Sequence, residues 1–238
     1  MNFLKRVAHG FGYDLVPLKK KKTPSAQLIT LLQHHRIDTV LDVGANVGQY
    51  GQRLRDWGYR GRIVSFEPLP SAHEQLSTRS ASDPDWIVAP RMAVGAEDGE
   101  VDIQVSAETD MSSILPQSEL LQEISPTSAI QATERVPIHR LDSVAMGYVD
   151  AEGRAFLKID TQGFEPQVLD GSEALLPRLV GVQLEMSLVP LYQGERDYRA
   201  MIQRLETLGF ALHLVLPGYF ERKLARMVEI DGVFVREG

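Results

Sequence analysis

A chain of 238 residues with 43 % hydrophobic side chains is long enough for one substantial core and has the apolar material to fill it. It contains no cysteine, which excludes disulfides, thiolate zinc sites and a cysteine nucleophile together. A net charge of −7 argues against a surface built for nucleic acid, and with no membrane-length apolar run and no signal-cleavage pattern the chain is expected in the cytoplasm.

The charge is unevenly placed. Residues 1–36 carry Lys5, Arg6, Lys19, Lys20, Lys21, Lys22 and Arg36 against Asp14 alone, so residues 1–24 read as a basic arm on an acidic body, residues 25–238. Phe3, Leu4, Val7 and Phe11 fall near helical spacing. Two roles stay open for the arm: a docking or homodimer contact, or peripheral contact of residues 1–22 with anionic membrane at its inner face or with a lipid-linked substrate.

The body starts with a helix over 25–35, signalled by Thr23-Pro24-Ser25 and closed by His34 and His35, whose place suits the helix dipole better than a metal. Next comes TVLDVGANVGQY at 39–50, where an apolar strand (Val40, Leu41, Val43) breaks at a turn bounded by Gly44 and Gly48 before a helix resumes. The glycines permit unusual dihedrals and close ligand approach, Asn46 tolerates the left-handed region, and the helix behind presents free N–H groups. Such a corner suits a nucleotide-like cofactor. Asp42, inside the strand, needs donors at the strand end, and Glu67, closing the next strand (Ile63 to Phe66), stands where an acid can accept from ribose hydroxyls.

A helix over 71–79, capped by Ser71 with Glu74, leads to a strand at Trp86 to Val88 and a short element over Arg91 to Gly95. Alternation over Gly99 to Val105 predicts a half-exposed antiparallel strand. Residues 106–135 turn polar, with a short helix at Glu119 to Ile124, and read as a mobile flap over the site or as a disordered insertion. A strand at Val136 to Leu141 and a short helix to Val149 follow.

Phe156 to Asp160 and Val180 to Glu185 are apolar strands that both end in carboxylates, the first followed by Thr161-Gln162-Gly163 and a helix stopping at Gly171. In an open parallel sheet ligands sit beyond the carboxyl ends of the strands, so Asp42, Glu67, Asp160 and Glu185 should converge on one rim. A helix over 197–208 and strands over 210–216 and 228–235 predict an antiparallel hairpin that completes the sheet.

Asp42 to Tyr50, Phe66-Glu67-Pro68, Met111-Ser112-Ser113-Ile114, Arg140-Leu141-Asp142-Ser143, LKIDTQGFEPQVLDG at 157–171, and Leu184-Glu185 followed by Pro190-Leu191-Tyr192 together resemble the FkbM-type S-adenosylmethionine-dependent methyltransferases over roughly residues 38–192. The resemblance implies an α/β, Rossmann-like class I methyltransferase fold with a seven-stranded, mostly parallel sheet. It also implies methyl transfer to a hydroxyl, most often that of a sugar in a glycolipid, polysaccharide or glycosylated metabolite. On that reading Gly44, Ala45, Asn46 and Gly48 wrap the methionine end of S-adenosylmethionine, Glu67 takes the ribose and Ala93 and Val94 the adenine edge. Asp42, Tyr50, Ser113 and Asp160 complete the cofactor contacts.

An alcohol needs a base or a metal to become a good nucleophile. Asp160 and Glu185 are all-oxygen ligands suited to Mg²⁺, His139 is a candidate base, and Lys158 shares a strand face with Asp160 and can hold its charge. Two rival classes remain: an NAD(P)-dependent oxidoreductase, though a Tyr-x-x-x-Lys pair is absent, and a non-catalytic module bound through its basic arm.

Overall fold

The computed structural model describes residues 23–237, with Arg6, Val7, Gly10 and Phe11 of the arm. The expected amphipathic arm, its membrane or dimer contact and its lysine run otherwise lie outside the described residues. Among those described, no helix is long and apolar enough to cross a membrane.

Parallel strands β1 (Thr39–Val43), β2 (Arg62–Phe66), β3 (Trp86–Val88), β7 (Ala155–Ile159) and β8 (Leu179–Ser187) join β9 (Phe210–Pro217) and β12 (Glu229–Arg236) in one seven-stranded sheet, ordered β3-β2-β1-β7-β8-β12-β9. β12 runs antiparallel to both of its neighbours. The predicted terminal hairpin is present, with its second strand inserted between β8 and β9. A small pair, β10 (Phe220–Glu221) and β11 (Arg226–Met227), fills the connecting loop.

Two-sided burial explains the apolar runs. Val40, Ile63 and Phe156 face a layer with α1 (Pro24–His34) and α2 (Gln49–Asp56), while Leu41, Val64 and Leu157 face α5 (Leu141–Ala145), α6 (Glu165–Asp170) and α7 (Tyr198–Thr207). Thr23 caps α1 by accepting from the Ala26 N–H at 3.3 Å, with Pro24 in the first turn. Ser71 does not cap the next helix: α3 (Pro70–Ser80) starts at Leu69 and Pro70, because proline's fixed φ opens the helix one residue earlier.

A second sheet, β4 (Ala93–Gly95), β6 (Ile130–Arg140) and β5 (Gly99–Ser106), sits beside the first and buries Ala93, Ile103, Val136 and Ile138 against Leu69 and Ala72. β6 begins at Ile130, so the last six residues of the predicted flap, 130–135, belong to a strand. The polar side chains at 131–134 lie on a projecting, largely exposed ribbon paired with β5. What remains, residues 107–129, crosses the rim of the main sheet and is anchored there. Leu121 and Ile124 of α4 (Glu119–Ile124) pack with Leu191, Tyr192 and Val228, and Ser113 exchanges two backbone hydrogen bonds with Gln104.

Candidate active site

The glycine turn folds as its residue types require. Gly44, Asn46 and Gly48 take φ of 75°, 46° and 84°, and the Gly44 and Ala45 N–H groups donate to the Phe66 carbonyl at 3.1 Å. A Cβ on Gly44 would stand 1.8 Å from the Asp160 carbonyl, so glycine lets the tips of β1 and β7 touch. Glu67 cross-links turn and sheet: its carboxylate accepts from the Asn46 N–H at 2.8 Å and the Leu69 N–H at 2.9 Å. Burial pushes the Glu67 carboxyl up to about 7, against those two donors.

Beneath the turn lies a charged spine. Asp42, fully buried, is flanked in register by Ser65 on β2 and Lys158 on β7. The Lys158 ammonium stands 3.1 Å from Asp42, 3.3 Å from Asp160 and 3.1 Å from the Gly44 carbonyl, so its three N–H donors all have partners. Burial alone would lower the Lys158 pKa; Asp160 and Asp42 outweigh it and hold the amine charged. Lys158 therefore positions Asp160 and is not free to move a proton.

Gln162 ties the rim together from a left-handed backbone (φ 56°), with Gly163 following at φ 92°. Its Nε2 donates to Asp160 at 3.0 Å and to Glu185 at 2.5 Å, and its Oε1 accepts from the Tyr192 hydroxyl at 2.7 Å. The two carboxyls behave oppositely. Burial would raise Asp160, but the Lys158 ammonium holds it below the usual range, whereas burial and the neighbouring acids Asp160, Glu229 and Asp231 push Glu185 well up. Of the two, Asp160 is held toward its ionised form and Glu185 is pushed toward its neutral one.

Two hollows meet at this rim. The first, a cleft, is lined by Gly44, Asn46, Glu67, Ala93, Val94 and Ser113 together with Asp160, all expected cofactor contacts. The second, a wider cavity of about 370 Å³, is lined by Ala45 and Tyr50 along with Lys158 and Glu185. Gln49, Asp110, Asp160 and Gln162 line both.

Several expectations are corrected. Asp42 and Gly48 line neither hollow: Asp42 lies under the turn, and a Cβ on Gly48 would meet Leu76 at 2.8 Å, so that glycine serves packing. Tyr50 and Ala45 face the second cavity, where the Tyr50 hydroxyl donates to Gln183 at 2.9 Å. His139 lines neither hollow, although its register partner Val94 lines the first; it is half-exposed, with Asp98 3.4 Å from its Nδ1. Nor does the rim fit Mg²⁺. Among the described residues no three His, Asp or Glu side chains converge as metal ligands, and the Lys158 ammonium beside Asp160 would repel a divalent cation.

A mostly parallel sheet with one reversed strand and a cofactor cleft at its glycine turn defines a class I, S-adenosylmethionine-dependent methyltransferase. The FkbM methyltransferase domain matches residues 42–212, and the chain belongs to that family. Among solved structures, a methyltransferase from Thermobifida fusca YX shares 12% identity, with 92% of this chain and 85% of that chain covered at a TM-score of 0.52. An rRNA methylase from Streptococcus thermophilus shares 11% identity, with 91% and 98% covered at a TM-score of 0.48. At 12% identity the likeness to the first speaks to the fold alone. Among curated proteins none matches the chain.

Proposed function

We propose that the protein transfers a methyl group to a hydroxyl oxygen, that of a sugar in a glycolipid, polysaccharide or glycosylated metabolite, with Asp160 as the proton acceptor. The observation that carries the reading is the wall shared by the two hollows, on which Asp160 is ionised and oriented by Lys158 and Gln162. S-adenosylmethionine, when bound, supplies an electrophilic methyl group and leaves as S-adenosylhomocysteine once the C–S bond has broken, its electron pair staying on sulfur. Gly44, Asn46 and Glu67 fit such a cofactor: the turn lets the backbone approach it, and Glu67 keeps unused lone pairs for ribose hydroxyls.

The alcohol becomes strongly acidic as its oxygen gains carbon, so a carboxylate suffices to take the proton. Asp160 takes it, and Gln162 ties it to Glu185, whose carboxyl is raised by burial and by the acids around it. The cleft encloses about 80 Å³, well under the roughly 300 Å³ at which small-molecule pockets begin. Cofactor entry therefore displaces the covering stretch at 109–114, where the Thr109 hydroxyl donates to the Asn46 side chain at 3.3 Å.

The test is incubation with S-adenosylmethionine carrying a ¹³C methyl group and a panel of sugars and glycosides, with the product read by NMR. An O-methyl resonance that Asp160→Asn reduces by about 10²-fold or more, while cofactor binding survives, supports the reading. Methyl transfer to nitrogen or carbon alone would contradict it.

A further inference from the structure

The second cavity is rich in acids, and three of them, Asp110, Glu229 and Asp231, have no part in the methyl-transfer step. Five carboxyl side chains line it, those of Asp110, Asp160, Glu185, Glu229 and Asp231, against two cations, Arg53 and Lys158. Lys158 is already occupied by Asp42 and Asp160. Asp231 on β12 stands directly opposite Glu185 on β8 in the ladder, so two acids face each other across the strands. Asp231 accepts one hydrogen bond, from Gln183 Nε2 at 2.9 Å.

Glu229 lacks even that. It is only 8 % exposed, it lines the cavity, and among the described residues its side chain has neither a hydrogen bond nor an ion pair. Its carboxyl oxygens have no protein partner among the described residues and open into the cavity, so a group that meets them must arrive with the ligand.

We infer that this cavity is the acceptor site and that it takes a polyhydroxylated acceptor carrying a positively charged amine, whose ammonium group is received by Glu229 and Asp231. The inference rests on the methyl-transfer reading and deepens it. The acceptor hydroxyl faces Asp160 on the shared wall, and the ammonium group lies toward β12, where its three N–H donors meet the unused acceptor oxygens of Glu229 and Asp231. The same wall repels acceptors bearing carboxylate or phosphate.

The full chain, with and without saturating S-adenosylhomocysteine, is titrated with three 2-amino-2-deoxyhexoses (glucosamine, galactosamine, mannosamine), their neutral parent hexoses and glucuronate, binding being followed by NMR. At least one amino sugar should bind about tenfold or more tighter than its parent, and glucuronate should bind most weakly. Glu229→Gln and Asp231→Asn should each erase most of that preference while leaving the S-adenosylhomocysteine affinity unchanged. Both substitutions take an acid out of a crowded, largely buried cluster, so thermal unfolding should show the fold intact.

Equal binding of charged and neutral sugars, tightest binding of glucuronate, or binding by none of the amino sugars overturns the inference. So does a change in S-adenosylhomocysteine affinity in Glu229→Gln with the sugar preference intact, since the carboxyls would then serve the cofactor. Failure of the wild-type protein to bind S-adenosylhomocysteine would instead sink the methyltransferase reading, and the cofactor-free titrations would still decide the charge preference.

Discussion

Asp42 and Lys158 are register partners on β1 and β7, both buried, with carboxylate and ammonium 3.1 Å apart. Through Lys158 the pair reaches Asp160, so the charge at the rim is set from inside the sheet. Replacing Lys158 by Met leaves the buried Asp42 and the partly exposed Asp160 uncompensated and should cost about 3–5 kcal/mol, most of it at Asp42. Adding Asp42→Asn should recover part of that loss. Urea denaturation of the single and double variants measures the coupling; simple additivity would mean the pair is not a unit.

Stability should fall as pH rises through neutrality. Burial raises Glu67 and Glu165 to about 7 and Glu229 to about 8, each from 4.5. Between the unfolded and folded values the native state keeps protons that the unfolded chain has released, so the penalty grows with pH and is complete above the folded value. Each group contributes a slope of up to about 1.4 kcal/mol per pH unit. Urea midpoints from about pH 5 to about pH 8.5 test this, and Glu229→Gln should flatten the upper end.

At the glycine turn, Gly44→Ala places a methyl group against the Asp160 carbonyl at a positive φ. The tips of β1 and β7 would have to part, and S-adenosylhomocysteine binding should be lost together with about 1–3 kcal/mol of stability. Wild-type affinity in this variant would mean that the two tips do not need to touch.

Glu67→Gln keeps one acceptor oxygen but turns an amide nitrogen toward a backbone N–H. Calorimetry should show S-adenosylhomocysteine binding weakened by about tenfold or more, as expected for a mispaired buried donor. Unchanged affinity would remove Glu67 from the cofactor site.

Because the rim is organised by an ammonium group, methyl transfer should proceed at full rate after dialysis against excess EDTA. A rate lost under EDTA and restored by Mg²⁺ would show that the Asp160–Glu185 pair takes a metal after all.

The strands of the main sheet were legible because two-sided burial writes continuous apolar runs, and the rim carboxylates because β1, β2, β7 and β8 each carry one at or near their ends. Glu229 and Asp231 escaped the same rule for a geometric reason: β12 is reversed, so its beginning, not its end, lies at the rim. Gln162 escaped because nothing about its residue type announces a positive φ. His139 misled because periodicity finds a strand without saying which sheet it joins. The start of β6 was lost in the flap because, on a ribbon exposed on both faces, only Ile130 and Ala132 are apolar before Val136, too few to mark a strand.

The most direct test is a calorimetric titration of the full chain with S-adenosylmethionine, S-adenosylhomocysteine and NAD(P)H in parallel. Binding of the first two in the micromolar range, with none of the third, is the predicted result. Binding of the nicotinamide alone, or of none of the three, would contradict the assignment of the Gly44–Glu67 cleft to a methyl donor.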